Sequence, residues 1–145
     1  MCTFIIYMIT SAEIKNFFEK EWGDTEELLP DSDILGELGI TGDDTDELLW
    51  KYAELYSVDM QGYLWYFHTE EEGVRFFPTH PYERLGGKIP ITLNLLADFA
   101  NKGKWDYPYP EHDASFINAE HKERRIGWGI VAVIIVLLSL MKYFK

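Results

Sequence analysis

Three histidines, His68, His80 and His112, with Glu70, Glu71 and Glu72 between the first two, are the side chains of this chain best suited by type to hold a metal ion. A zinc site needs ligands at short intervals, and these histidines match no short ligand motif. His68 and His80 stand among aromatic residues, which predicts packing or surface roles. Asp31, Asp33 and Glu37 resemble part of a calcium loop in charge alone. Counted from Asp31, such a loop needs an oxygen ligand where Leu35 stands and a bidentate glutamate where Gly42 stands. Cys2 is the only cysteine, so it has no disulfide partner within the chain, no cysteine-rich metal site is available, and a reducing compartment fits. The sequence contains neither a glycine-rich phosphate loop nor a Gly-x-Ser-x-Gly elbow. Paired carboxylates are frequent because acids are frequent, and they carry no argument for glycosidase chemistry without a cleft. No catalytic residue, metal or cofactor is predicted, and the chain is not expected to be an enzyme.

Charge points to binding instead. The 145 residues include 13 Lys and Arg against 25 Asp and Glu, a net charge of −12. Because Lys142 and Lys145 lie in the last four positions, residues 1–125 carry −14. Such a surface is repelled by phosphate backbones, so nucleic acid is excluded as a partner and a basic protein surface is favoured. Between Glu19 and Asp59 the count is 14 acids and two lysines, which concentrates the field in that stretch.

The elements follow from periodicity and caps. Thr10-Ser11-Ala12-Glu13 reads as a capping box opening a helix with Ile14, Phe17, Phe18 and Trp22 at helical spacing, closed by Gly23. Residues 24–42 hold Pro30, Gly36 and Gly39 and predict an ordered loop with a short turn near Ile34 and Leu35. A second helix is expected from Asp43 or Asp44 to about Tyr56, its first turn rich in carboxylates that offset the positive end of the helix dipole. Leu48, Leu49, Tyr52, Leu55 and Tyr56 are expected inward, with Lys51 and Glu54 outward. The aromatic stretch 63–77 is a candidate β-hairpin around Glu70 to Gly73, with a short helix or an irregular layer as alternatives. Thr92 is expected to cap a last domain helix ended by Gly103, and Pro108 and Pro110 mark an extended linker.

Glu37-Leu38-Gly39-Ile40-Thr41-Gly42-Asp43-Asp44 resembles the prosthetic-group loop of an acyl carrier protein, with Gly42 where the attachment serine would stand. The likeness covers roughly residues 11–104. The run from Gly42 to Leu49, Ile89-Pro90-Ile91-Thr92 and Gly103-Lys104-Trp105 resemble more closely a small bacterial family of acyl-carrier-like proteins of unknown function. The resemblance implies a small helical bundle and, by analogy with acyl carrier proteins, recognition through the acidic second helix, here Asp43, Asp44, Asp46, Glu47 and Glu54. It does not imply phosphopantetheine. Attachment needs a serine hydroxyl to attack the coenzyme A pyrophosphate, and glycine has none. Thr41 is one position out of register, and Gly42 is expected to permit a tight or positive-φ turn.

The C-terminal stretch differs in kind. Ile126 to Met141 is 16 residues without a charge, extended by Tyr143 and Phe144 if Lys142 snorkels. A span of that size reaches ~24 to ~28 Å against a hydrocarbon core of ~30 Å, so a transmembrane helix is expected over 126–144. The preceding Lys122, Arg124 and Arg125, the four residues beyond Met141 and the absence of a signal at the N-terminus predict a tail anchor in a bacterial inner membrane, with the acidic domain in the cytoplasm. The expected organisation is a mainly α, acyl-carrier-like domain over 1–105, a stalk over 106–125 and the anchor. The expected function is non-catalytic binding of a protein partner. The alternatives are an inhibitor or immunity-type protein that neutralises a basic toxin or enzyme, and a carrier modified at another hydroxyl.

Overall fold

The computed structural model describes residues 8–23, 25–70 and 81–143 of the chain. Among these, residues 8–70 and 81–109 form one compact unit, and residues from 110 onward belong to a second.

The first unit is helical. Helix α1 (Ser11–Glu21) opens on the capping box: Glu13 N–H donates to Thr10 Oγ1 at 3.4 Å, and Thr10 N–H donates to Glu13 Oε2 at 2.9 Å. The box thereby gives Thr10 N–H an acceptor and adds a second one for Glu13 N–H, which also donates to Thr10 O at 3.1 Å. Ile14, Phe17 and Phe18 recur at helical spacing and are buried, while Trp22, just past the last turn, is exposed. A short helix α2 (Ile34–Leu38) stops at Gly39, whose φ of 65° is left-handed. Helix α3 (Gly42–Tyr56) follows, then a single 3-10 turn (Trp65–Phe67), a four-residue helix α4 (Pro81–Arg84) and helix α5 (Leu93–Lys102).

Three of these elements supply most of the core, with Ile34 and Leu35 of α2 and loop residues such as Ile40, Ile91 and Trp105 completing it. α1 packs on α5, and α3 closes on both: Tyr52 Oη donates to Leu96 O at 2.6 Å, Tyr56 Oη donates to Glu13 O at 3.4 Å, and the Phe17 ring meets Tyr52 and Tyr56 at 6.4 and 6.1 Å between centroids. Side chains such as Phe18, Leu49, Tyr52, Leu96 and Phe99 are almost fully buried there. Each large apolar side chain removed from water contributes on the order of 2 kcal/mol, which is what holds helices this short together.

The loops are tied to that core by backbone bonds. Ile34 N–H donates to Ile91 O at 2.9 Å, and Asn94 N–H donates to Pro30 O at 3.0 Å. The Asn101 side-chain amide holds the chain ahead of α1, accepting from Ile9 N–H and donating to Ile9 O, both at 2.8 Å. A parallel bridge joins Asp59 to Lys104, with Asp59 N–H donating to Gly103 O at 2.9 Å and Trp105 N–H donating to Asp59 O at 2.8 Å. Gly62 lies so close to this crossing that a Cβ there would collide with the Trp105 carbonyl oxygen.

One open alternative is decided, in favour of a short helical turn, and one expectation is corrected. The described half of the candidate hairpin is not a strand. Phe67 N–H donates back to Leu64 O at 3.1 Å and His68 N–H donates to Trp65 O at 2.8 Å, which winds the segment into a turn. The neighbours Tyr66 and Phe67 are both buried, whereas a strand of period two sends adjacent side chains to opposite faces. The other half, 74–77, lies outside the described residues. In the second unit, helix α6 (Ser115–Tyr143) runs for 29 residues, yet no helix among the described residues is long and apolar enough to cross a membrane. Its uncharged run is closed by Arg125 and Lys142 after 16 residues, ~24 Å of rise against the ~30 Å of a hydrocarbon core. This overturns the expected transmembrane helix over 126–144 and the inner-membrane localisation built on it.

Candidate functional site

Helix α3 starts from an unusual backbone. Thr41 is extended at φ −141° and its side chain makes no capping hydrogen bond; Gly42 then takes φ 56°, and it is buried. A left-handed turn of this kind disfavours any residue with a Cβ. The expectation of a positive-φ turn at Gly42 is met. Position 42 therefore lacks a hydroxyl and has a backbone suited to glycine. Downstream, Thr45 is buried and its Oγ1 meets Thr69 Oγ1 at 3.3 Å, fixing the first turn of the helix to the segment after the 3-10 turn.

From that start the five acids marked in the sequence, Asp43, Asp44, Asp46, Glu47 and Glu54, are all exposed. At 100° per residue, Asp43, Asp46, Glu47 and Glu54 fall within an arc of roughly 100°. Asp44 lies outside it, by roughly 60°. Lys51, the only cation on the helix, is held by Glu47 at 2.9 Å and by Glu21 of α1 at 3.4 Å. Although Asp46 is exposed, partial loss of solvent at its carboxyl and, second, the neighbouring Asp43 carboxylate hold it above the usual aspartate range.

Trp50 stands in the same arc, near its middle, and is 67% exposed. The spacing that places Asp43 and Glu54 outward also places Trp50 there, although its residue type suggests a core position. Leu55, expected inward, is 63% exposed: it lies at the edge of the inward arc, in the last turn of the helix. The helix therefore presents apolar groups as well as charge.

A second cluster lies inside the unit. His68 is fully buried, stacked at 5.6 Å on Tyr63 and packed edge-on against Trp105 and Tyr109. Its Nδ1 lies 2.8 Å from Ile89 O and its Nε2 lies 2.7 Å from Tyr109 Oη. Tyr109 Oη accepts from Leu64 N–H at 3.3 Å and from Trp105 Nε1–H at 2.9 Å, which fills its acceptor positions and leaves its proton for His68. The network fixes His68 as the neutral Nδ1–H tautomer, with Nε2 accepting from the tyrosine. Burial drives its pKa down to about 4, the Ile89 carbonyl opposing only in part, and burial pushes the Tyr109 phenol up to about 12. The side-chain polar atoms of the pair are all engaged within the unit, so the pair ties these segments together.

The other candidates have partners too. Asp33 pairs with Lys88 at 2.9 Å, and Asp31 accepts from Asn94 Nδ2 at 2.8 Å. Among the described residues no group of three or more His, Cys, Asp or Glu is arranged to hold a metal ion. His80 lies outside them, and His112 is bound through Nδ1 near Pro110 O at 2.8 Å.

A family model described as "Protein of unknown function (DUF1493)" matches residues 4–108. The chain belongs to this family. The match takes in α1 to α5 and the His68–Tyr63–Trp105 cluster, but stops one residue short of Tyr109 and before α6. No curated protein and no solved structure matches the chain.

Proposed function

We propose that this DUF1493 member is a non-catalytic, acyl-carrier-like binding module that docks a basic protein surface through the outward face of α3. The observation that carries the reading is the exposed stripe of Asp43, Asp46, Glu47 and Glu54 on one arc of a helix whose opposite face is locked into the core. Helices positioned in this way present charge at fixed spacing, which favours association rate and register. The absence of a hydroxyl at Gly42 supports a recognition role in place of a carrier role. Placing a photo-crosslinking residue at Asp46 should trap a protein whose contact surface is rich in Lys and Arg. Reversing Asp43, Asp46 and Glu54 together to lysine should abolish capture; capture unchanged by the triple reversal overturns the proposal.

A further inference from the structure

Resting on that docking reading, we infer that Trp50 is the anchor of the surface and that the partner presents arginine to it, a guanidinium stacked on the indole and paired with the flanking carboxylates. Trp50 is 67% exposed although it sits mid-helix, between Leu48, Leu49 and Tyr52, which are buried; the other exposed large apolar side chain of α3, Leu55, lies in its last turn. Asp46 and Glu47 lie one turn before it, Glu54 one turn after, and Asp43 two turns before. An indole flanked by acids is a poor fit for a purely apolar pocket: Glu47 has Lys51, but closing such a pocket would strip water from Asp46 and Glu54 without supplying them a cation.

A cation must therefore accompany whatever covers the ring, and the ring itself favours one kind. An ammonium is a compact, strongly hydrated charge, while a guanidinium is planar, less hydrated, able to lie on an aromatic face and able to engage carboxylates through two parallel N–H groups. The protein's own cation on this helix does not fill the role: Lys51 is drawn sideways to Glu47 and Glu21. Tryptophan and arginine are also the residues that most often dominate binding at the centre of an interface. The net charge of −12 opposes nucleic acid and anionic lipid as occupants of the same face.

The test uses the full chain with a synthetic helical peptide bearing four arginines at i, i+4 spacing, and the same peptide with lysines. Titration calorimetry reads affinity, and the Trp50 indole N–H resonance, assigned by its loss in Trp50→Phe, reads the contact. The arginine peptide should bind roughly three- to fivefold tighter than the lysine peptide and shift the Trp50 resonance. Trp50→Ala should weaken the arginine peptide about tenfold, with little effect on the lysine peptide. Equal affinity for the two peptides, or Trp50→Ala binding arginine as the parent does, overturns the inference. If Trp50→Ala has no effect while the triple charge reversal abolishes binding, acidic docking stands and the anchor falls. If both peptides still bind the charge-reversed chain, the docking reading itself falls. Because Trp50 packs little in the fold, circular dichroism should show Trp50→Ala unchanged.

Discussion

His68 and Tyr109, 41 residues apart, meet at 2.7 Å with the phenol donating to the imidazole. Through Tyr109 Oη the contact also gathers Leu64 N–H and Trp105 Nε1–H, and through His68 Nδ1 it reaches Ile89 O. Three segments that are distant in sequence, 64–68, around Ile89 and 105–109, are held by one histidine and one tyrosine.

Removing the tyrosine oxygen should expose how much depends on it. Tyr109→Phe leaves His68 Nε2, Leu64 N–H and Trp105 Nε1–H without their shared partner, and each buried polar group left unpaired costs about 1–3 kcal/mol. Partial rescue by water sets the expected loss at about 2–4 kcal/mol. Urea unfolding followed by tryptophan fluorescence measures it, and a loss under about 0.5 kcal/mol would mean that the network contributes nothing beyond packing.

The same pair predicts a pH dependence. The His68 pKa lies near 6.5 in the unfolded chain and at about 4 in the fold, so between these values the unfolded chain binds a proton that the folded chain does not. Stability from this site is complete above the unfolded pKa and declines as pH falls from 6.5 towards 4, by up to about 3 kcal/mol. Asp46 acts with the opposite sign, since its raised folded pKa favours the folded state on protonation. Comparing the chain with His68→Gln isolates the histidine: the mutant should be less stable at pH 7 and should show a shallower decline between pH 6.5 and 4. Parallel curves would remove His68 as the cause.

Placing a hydroxyl at position 42 should cost stability. Gly42 has φ 56°, so Gly42→Ser should destabilise the fold by about 1–2 kcal/mol. Intact mass after incubation with a phosphopantetheinyl transferase and coenzyme A should show no addition to the parent chain. Added mass on the parent would establish a carrier modified at a different hydroxyl.

At the other end of α3 the strain runs the opposite way. Ser57 is the only non-glycine residue with positive φ among those described, at 56°, and it caps the helix. Ser57→Gly should raise stability by about 0.5–1 kcal/mol. Thermal denaturation reads the gain, and a lowered midpoint would show that the serine side chain contributes more than the strain costs.

The elements legible in the sequence are those fixed by neighbours within one turn. Thr10 with Glu13, Thr92 capping α5 through Leu95 N–H at 3.1 Å, and Gly103 at φ 72° each act within a few residues, and the sequence carries both partners. The acidic arc of α3 is legible for the same reason. What local pattern does not carry is pairing across distance. Nothing near His68 announces Tyr109, whose place in the extended, proline-bearing stretch suggests only a linker. Tyr66 and Phe67 suit a strand by type, and only the core that takes both shows a turn. Ile126 to Met141 carries strong apolar signal, but Arg125 and Lys142 limit its length.

Tyr109 is also the residue at which the first unit ends and the chain continues to Pro110. Along the chain itself, Tyr109 precedes Pro110, so tension transmitted through the backbone from residue 110 would meet this phenol before a helix of the core. The buried tie would then bear load as a mechanical latch, with Trp105 and the bridge at Asp59 next in line. Stretching single molecules between the first unit and the C-terminus should give a first rupture that falls to lower force in Tyr109→Phe, and rupture forces that match those of the parent would place the load elsewhere.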